Sequence, residues 1–160
     1  LPPEVELPPE TGTTFAENAL TKARAAAFAT GETAFADDSG IAAEALGGRP
    51  GVYSARYAGE HATDQENLDK LLAEAPAGSR VAYVCAIAYV EPQGEELVVE
   101  ARCEGTLAAE PRGSGGFGYD PAFVPDEHPD RTMAELAPEE KAAISHRGKA
   151  ARALRERLGS

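Results

Sequence analysis

Residues 81–104 read VAYVCAIAYVEPQGEELVVEARCE, and the fold is decided there. Val81 to Val90 is apolar at nearly every position, the pattern of a central strand covered on both faces. Pro92-Gln93-Gly94 then turns the chain. Beyond the turn, Leu97, Val99, Ala101 and Cys103 fall on one face while Glu100, Arg102 and Glu104 fall on the other, the period-two signature of a second strand. Two such segments joined by a short turn predict an antiparallel hairpin.

Helical signals lie on both sides of this hairpin. Upstream, residues 1–12 are rich in Pro and Glu and read as an extended entry. Thr14 followed by Glu17 spells a capping box, and the alanine-rich run that follows is helical to Thr30, where Gly31 stops it. Ala34 to Asp37 reads as a short strand that empties into a polar turn, Asp37-Asp38-Ser39-Gly40. Gly47-Gly48-Arg49-Pro50-Gly51 is a further loop. Thr63 and Glu66 form a second capping box, opening a helix that carries Leu68, Leu71 and Leu72. Downstream, Pro138 suits the first turn of a helix. Ser145 can cap another that runs to about Leu158, with Ala150, Leu154 and Leu158 on one stripe. Helices around a strand hairpin, within 160 residues, predict a single α/β domain.

Composition excludes several function classes. The net charge is −12, from 27 acidic and 15 basic side chains, and acidic residues are spread along the chain. Such a field repels DNA or RNA, so no nucleic-acid polymer is expected as a partner. No apolar run reaches the length of a membrane span, so no membrane partner is expected either. The sequence opens at Leu1 with no charged-then-apolar leader, and its one methionine is Met133. Cys85 and Cys103 lie far apart in strand-like segments, the reading for buried, reduced thiols in a cytoplasmic protein.

Three groups of residues could carry chemistry. Gly113-Ser114-Gly115-Gly116-Phe117-Gly118-Tyr119-Asp120-Pro121 combines a permissive backbone with flat aromatic faces and an acceptor, which suits a flat polar ligand such as a nucleotide base. A tight loop with its aromatics tucked into the core fits the same run equally well. Asp37-Asp38-Ser39 follows a strand, where carboxylates commonly sit at the mouth of a cleft, one facing the cleft and the other bracing the backbone. A hard cation such as Mg²⁺ would find oxygen ligands there. The same residues are also ordinary turn formers. Lys141, His146 and Arg147 cluster at a predicted helix junction, three cationic donors on an acidic chain. Glu10, Glu17 and Lys22 flank the first helix, and Glu17 is already explained by its cap. There is no Walker loop, zinc spacing or Gly-x-Ser-x-Gly elbow.

Five motifs occur in one order: TFAENALTKA (Thr14–Ala23), ADDSG (Ala36–Gly40), LGGRPGVYSARYAG (Leu46–Gly59), GGFGYDP (Gly115–Pro121) and EEKAAISHRGKA (Glu139–Ala150). Together they resemble the inosine triphosphate pyrophosphatase family over nearly the whole chain. The resemblance implies an elongated mixed sheet with flanking helices, two lobes around a central cleft, and a homodimer. It implies Mg²⁺-dependent hydrolysis of ITP, dITP and XTP to the monophosphate and pyrophosphate. Carried over residue by residue, it makes Asp38 the general base and a metal ligand, with Glu10 as the second metal ligand. Ser39 would touch substrate, Phe117, Gly118, Tyr119 and Asp120 would hold the base, and Lys141, His146 and Arg147 would complete the base pocket. Lys22 would reach the phosphates. Family members open with a strand and a Ser/Thr-Gly-Asn-x-x-Lys phosphate loop; neither precedes Leu1 here, and the natural protein is expected to carry both. The competing readings are a Maf-like pyrophosphatase of different base specificity and a non-catalytic nucleotide-binding module.

Overall fold

A computed structural model describes residues 1–159. Four strands, β1 (Ala34–Ala43), β2 (Arg80–Val90), β3 (Glu96–Leu107) and β4 (Phe123–Pro125), form one sheet in the order β1-β2-β3-β4. Each described pair is antiparallel, with Tyr83 opposite Cys103 and Ile41 opposite Tyr83 across the central strand. The expected hairpin is β2–β3.

Helices cover both faces, which is why β2 is apolar almost throughout. Helix α1 (Phe15–Thr30) lays Ala19, Ala23 and Ala27 on Ala86, Ala88 and Val90. Small side chains on both surfaces let helix and sheet approach closely. On the opposite face, α2 (Asp64–Glu74), α3 (Pro138–Ile144) and α4 (His146–Arg157) enclose a larger core. It is built from Ile41, Leu68, Leu71, Val81, Tyr83, Phe123 and Met133. Fully burying side chains of this size contributes about 1.5–3 kcal/mol each.

Most caps follow the sequence. Gly31 ends α1 in a left-handed conformation (φ 69°), and Thr63 with Glu66 closes a full capping box on α2. At α1 the box is displaced: Thr14 Oγ1 accepts from the Glu17 N–H, but the Glu17 carboxylate takes the N–H and hydroxyl of Thr13. Leu158 lies beyond the end of α4 and is exposed, so the buried stripe of that helix stops at Leu154.

The main departure is β1. Asp37-Asp38-Ser39-Gly40 is no turn: all four residues continue the strand, paired with Ile87, Ala86, Cys85 and Val84. The turn propensity of these residues is overridden by ten consecutive partners on β2 and by a plug on the outer edge. Ser54, in a 3₁₀ segment (Gly51–Arg56), accepts the Ile41 N–H through Oγ at 2.9 Å and donates to Gly51 O. A Cβ on Gly40 would stand 2.4 Å from that Oγ, so glycine is what allows the plug to seat.

Candidate active site

Because β1 continues through the acidic motif, the alternation of strand side chains sends Asp38 and Ser39 to opposite faces of the sheet. Asp38 faces α1. Its Oδ2 accepts from Asn18 Nδ2 at 3.0 Å, and Lys22 Nζ lies 4.0 Å from its Oδ1. Lys22 also reaches Glu10 Oε1 at 3.4 Å, so the two carboxylates and one ammonium form a single cluster. Asp38 is only 8% exposed. Burial is the main cause that lifts its pKa from the ordinary 3.8 to about 6; the Asn18 hydrogen bond opposes the rise, and Glu10 adds to it through hydrogen bonding and charge. Two carboxylates facing each other repel, and the Lys22 ammonium offsets this only in part, since the Asp38 pKa stays raised.

On the other face, a cavity of about 640 Å³ opens between the sheet edge, the glycine-rich loop and the α3–α4 junction. That size suits a purine nucleoside. Ser39 lines it and accepts a hydrogen bond from Arg147 Nη2 at 3.1 Å. Ser145 caps α4 through the Gly148 N–H, which turns the chain so that His146 and Arg147 both reach the cavity wall. His146 stacks on Tyr83, centroids 4.8 Å apart and planes 14° from parallel. Burial, and secondarily Arg147, pushes the His146 pKa down to about 4. Its Nδ1 is buried with no hydrogen-bond partner among the described residues.

The glycine-rich loop is organised by Asp120. One carboxylate oxygen accepts from Tyr83 at 2.8 Å; the other accepts from Lys141 at 2.5 Å and from the Phe117 N–H at 3.1 Å. Gly116 (φ 68°) allows this wrap, since a Cβ there would sit 2.2 Å from Asp120 Oδ2. Phe117 is left 63% exposed at the cavity mouth, with the Lys141 ammonium 4.4 Å from its ring centroid.

The structure thus brings the predicted residues together in two groups: Glu10, Lys22 and Asp38 on one face, and Ser39, Phe117–Asp120, Lys141, His146 and Arg147 on the other. Some expectations change in detail. The trio Lys141, His146 and Arg147 supplies two cations, because His146 is neutral near pH 7. Tyr119 lines the cavity but is buried, its hydroxyl donating to Ser54 O at 2.6 Å. Asp120 is 3% exposed and occupied by protein donors. Asp37 does not brace the backbone; it lies half-exposed, 3.7 Å from Arg147 Nε. Sequence reasoning missed Asn18 and Tyr83. For Asn18 a signal existed: a polar residue one turn before Lys22 on the alanine-rich helix.

The geometry defines an α/β protein with a two-sided site, a base-sized cavity on one sheet face and a carboxylate pair on the other, joined around the edge of β1. The chain belongs to the Ham1 family, whose model matches residues 2–157. It is 56% identical over 158 residues to the dITP/XTP pyrophosphatase of Streptomyces coelicolor, covering 94% of this chain and 78% of that protein. The dITP/XTP pyrophosphatase of Geobacillus kaustophilus is 55% identical over 151 residues, 92% and 74% of the two chains. Among solved structures, a HAM1 protein from Coxiella burnetii superposes with a TM-score of 0.90 at 48% identity, covering 96% and 81% of the two chains. The nucleoside-triphosphatase (dITP/XTP pyrophosphatase) of Mycobacterium abscessus gives a TM-score of 0.82 at 52% identity, covering 95% and 79%.

Proposed function

We propose that this protein hydrolyses deaminated-purine nucleoside triphosphates (dITP, ITP and XTP) to the monophosphate and pyrophosphate. The observation that carries the reading is the two-sided site: base donors and carboxylate pair meet across one strand residue, so a nucleotide seated in the cavity presents its phosphates to Asp38. The activity of the named relatives agrees with it.

Hypoxanthine and xanthine carry a carbonyl at C6, where adenine carries an amino group. Arg147 donates to the carbonyl, and His146 stands beside it on the cavity wall. An amino group in that place leaves a donor unmatched once the bound base covers it, at a cost of about 1–3 kcal/mol, tenfold or more in selectivity. Phe117 stacks on the base, while Asp120 holds Lys141 and the loop in place. In the metal-free protein burial holds the Asp38 pKa up at about 6, so its carboxylate is ionised at pH 7.5 and can take a proton from attacking water.

A divalent cation fits the donors. Asp38 and Glu10, brought together around Lys22, offer two hard carboxylates. That is the number Mg²⁺ commonly takes from protein when water and phosphate fill its other positions. When bound, Mg²⁺ supplies positive charge that offsets the triphosphate. Lys22, beside both carboxylates, adds a fixed positive charge on the phosphate side. A homodimer and a cytoplasmic location, where Cys85 and Cys103 stay reduced, belong to the same proposal; sedimentation tests the first.

The test is pyrophosphate release from dITP, XTP, dGTP and dATP with and without Mg²⁺. Turnover of dITP and XTP at least tenfold above dGTP and dATP supports the reading. Equal rates remove the specificity, and binding of dITP without turnover leaves a nucleotide-binding module.

A further inference from the structure

Five lysines and arginines are half-buried among the described residues: Lys22, Arg56, Arg131, Lys141 and Lys149. Four of them have a carboxylate partner, respectively Glu10, Glu140, Asp120 and Glu127. Arg56 has none, although the chain holds 27 acidic residues. Of its five guanidinium donors, one is used, by the backbone carbonyl of Glu10 at 3.4 Å. Its guanidinium otherwise lies 5.0 Å from the Tyr53 ring centroid.

The position is rigid. Buried Asn67 holds the chain on both sides of Arg56, donating to Ala55 O at 3.0 Å and accepting the Ala58 N–H at 2.8 Å. Ser54, two residues before, is pinned to β1. Ser54 and Ala55 line the base cavity, so the wall of that cavity runs directly into Arg56, and Arg56 touches the residue that carries one of the two site carboxylates. Arg56 is thus a cation without a carboxylate partner, held between the wall of the base cavity and the backbone of Glu10.

We infer that Arg56 binds the pyrophosphoryl portion of the substrate, an assignment that rests on the pyrophosphatase reading above. Water oxygen bonds to the α-phosphorus, its proton passes to Asp38, and the bond from the α-phosphorus to the α,β-bridging oxygen breaks. That electron pair leaves with pyrophosphate. The planar guanidinium, with four donors free, pairs with oxygens of the departing group and offsets the charge that accumulates there. Lys22 and Arg56 then flank the phosphates from two sides, both attached to Glu10.

Calorimetry of pyrophosphate and of dIMP, each with Mg²⁺, tests the assignment on the unaltered protein and on Arg56→Ala, Arg56→Gln and Arg56→Lys. The expected result is pyrophosphate affinity at least tenfold weaker in the Ala and Gln variants, partly recovered by Lys, with dIMP affinity within twofold and unchanged melting. The kcat/KM for dITP falls at least tenfold in parallel. Unchanged pyrophosphate affinity overturns the assignment, and so does equal weakening of dIMP and pyrophosphate, which marks a general disturbance of the site. Binding is read without turnover, so failure of the unaltered protein to hydrolyse dITP refutes the activity and not this residue's role.

Discussion

Replacing Asp38 by Asn should abolish turnover and at the same time make the metal-free protein more stable, by an amount that depends on pH. Burial holds the Asp38 pKa at about 6 against an ordinary 3.8, so the folded state binds a proton more tightly than the unfolded state. The sign follows from linkage: stability from this group is fully present below pH 3.8 and is lost as pH rises through about 6. The full difference corresponds to about 3 kcal/mol, a ceiling because Glu10 and Lys22 are partly solvated. Asn is neutral at every pH, and it can still accept from Asn18 while donating to Glu10. Thermal melts in EDTA should therefore show the two proteins equal at pH 3.5. A gap in favour of Asp38→Asn should open between pH 4 and 6 and level off above. For a chain of this size the plateau is at most about 6–12 °C. A variant less stable than the parent at pH 8, or a gap independent of pH, would refute the claim that Asp38 is a strained, function-serving carboxylate.

Asn18→Asp keeps the acceptor that holds the Gly12 N–H at 2.8 Å but loses the donor to Asp38, so kcat on dITP should fall at least tenfold while KM stays within threefold; kcat within twofold of the parent would make Asn18 merely structural. Arg147→Leu removes a donor from the cavity wall, and the ratio of kcat/KM for dITP over dATP should drop about tenfold. An unchanged ratio would assign base recognition elsewhere.

The fold was legible where local signals agree with tertiary structure. The β2–β3 hairpin, the Thr63–Glu66 box, the Gly31 stop and the Ser145 cap all rest on periodicity or on a few adjacent residues. The acidic motif was misread as a turn because Asp, Ser and Gly carry that preference locally. The override comes from pairing with Cys85 and Ala86 nearly fifty residues away and from the Ser54 plug. This error hid the central geometric fact, since only a continuous strand sends Asp38 and Ser39 to opposite faces. Spacing alone could not show that Arg147 meets Ser39 across 108 positions, nor that Asp120 serves Tyr83 and Lys141 together. The charge of His146 was misjudged for a related reason. A histidine beside an arginine looks cationic in sequence, but burial against Tyr83 keeps it neutral.

The central claim is that water, activated at Asp38, attacks the α-phosphorus of a deaminated-purine nucleoside triphosphate. Hydrolysis of dITP in ¹⁸O-water with Mg²⁺, followed by mass spectrometry of both products, tests it most directly. One ¹⁸O in dIMP and none in pyrophosphate is the predicted result. Label in pyrophosphate, or release of orthophosphate and dIDP, would contradict it.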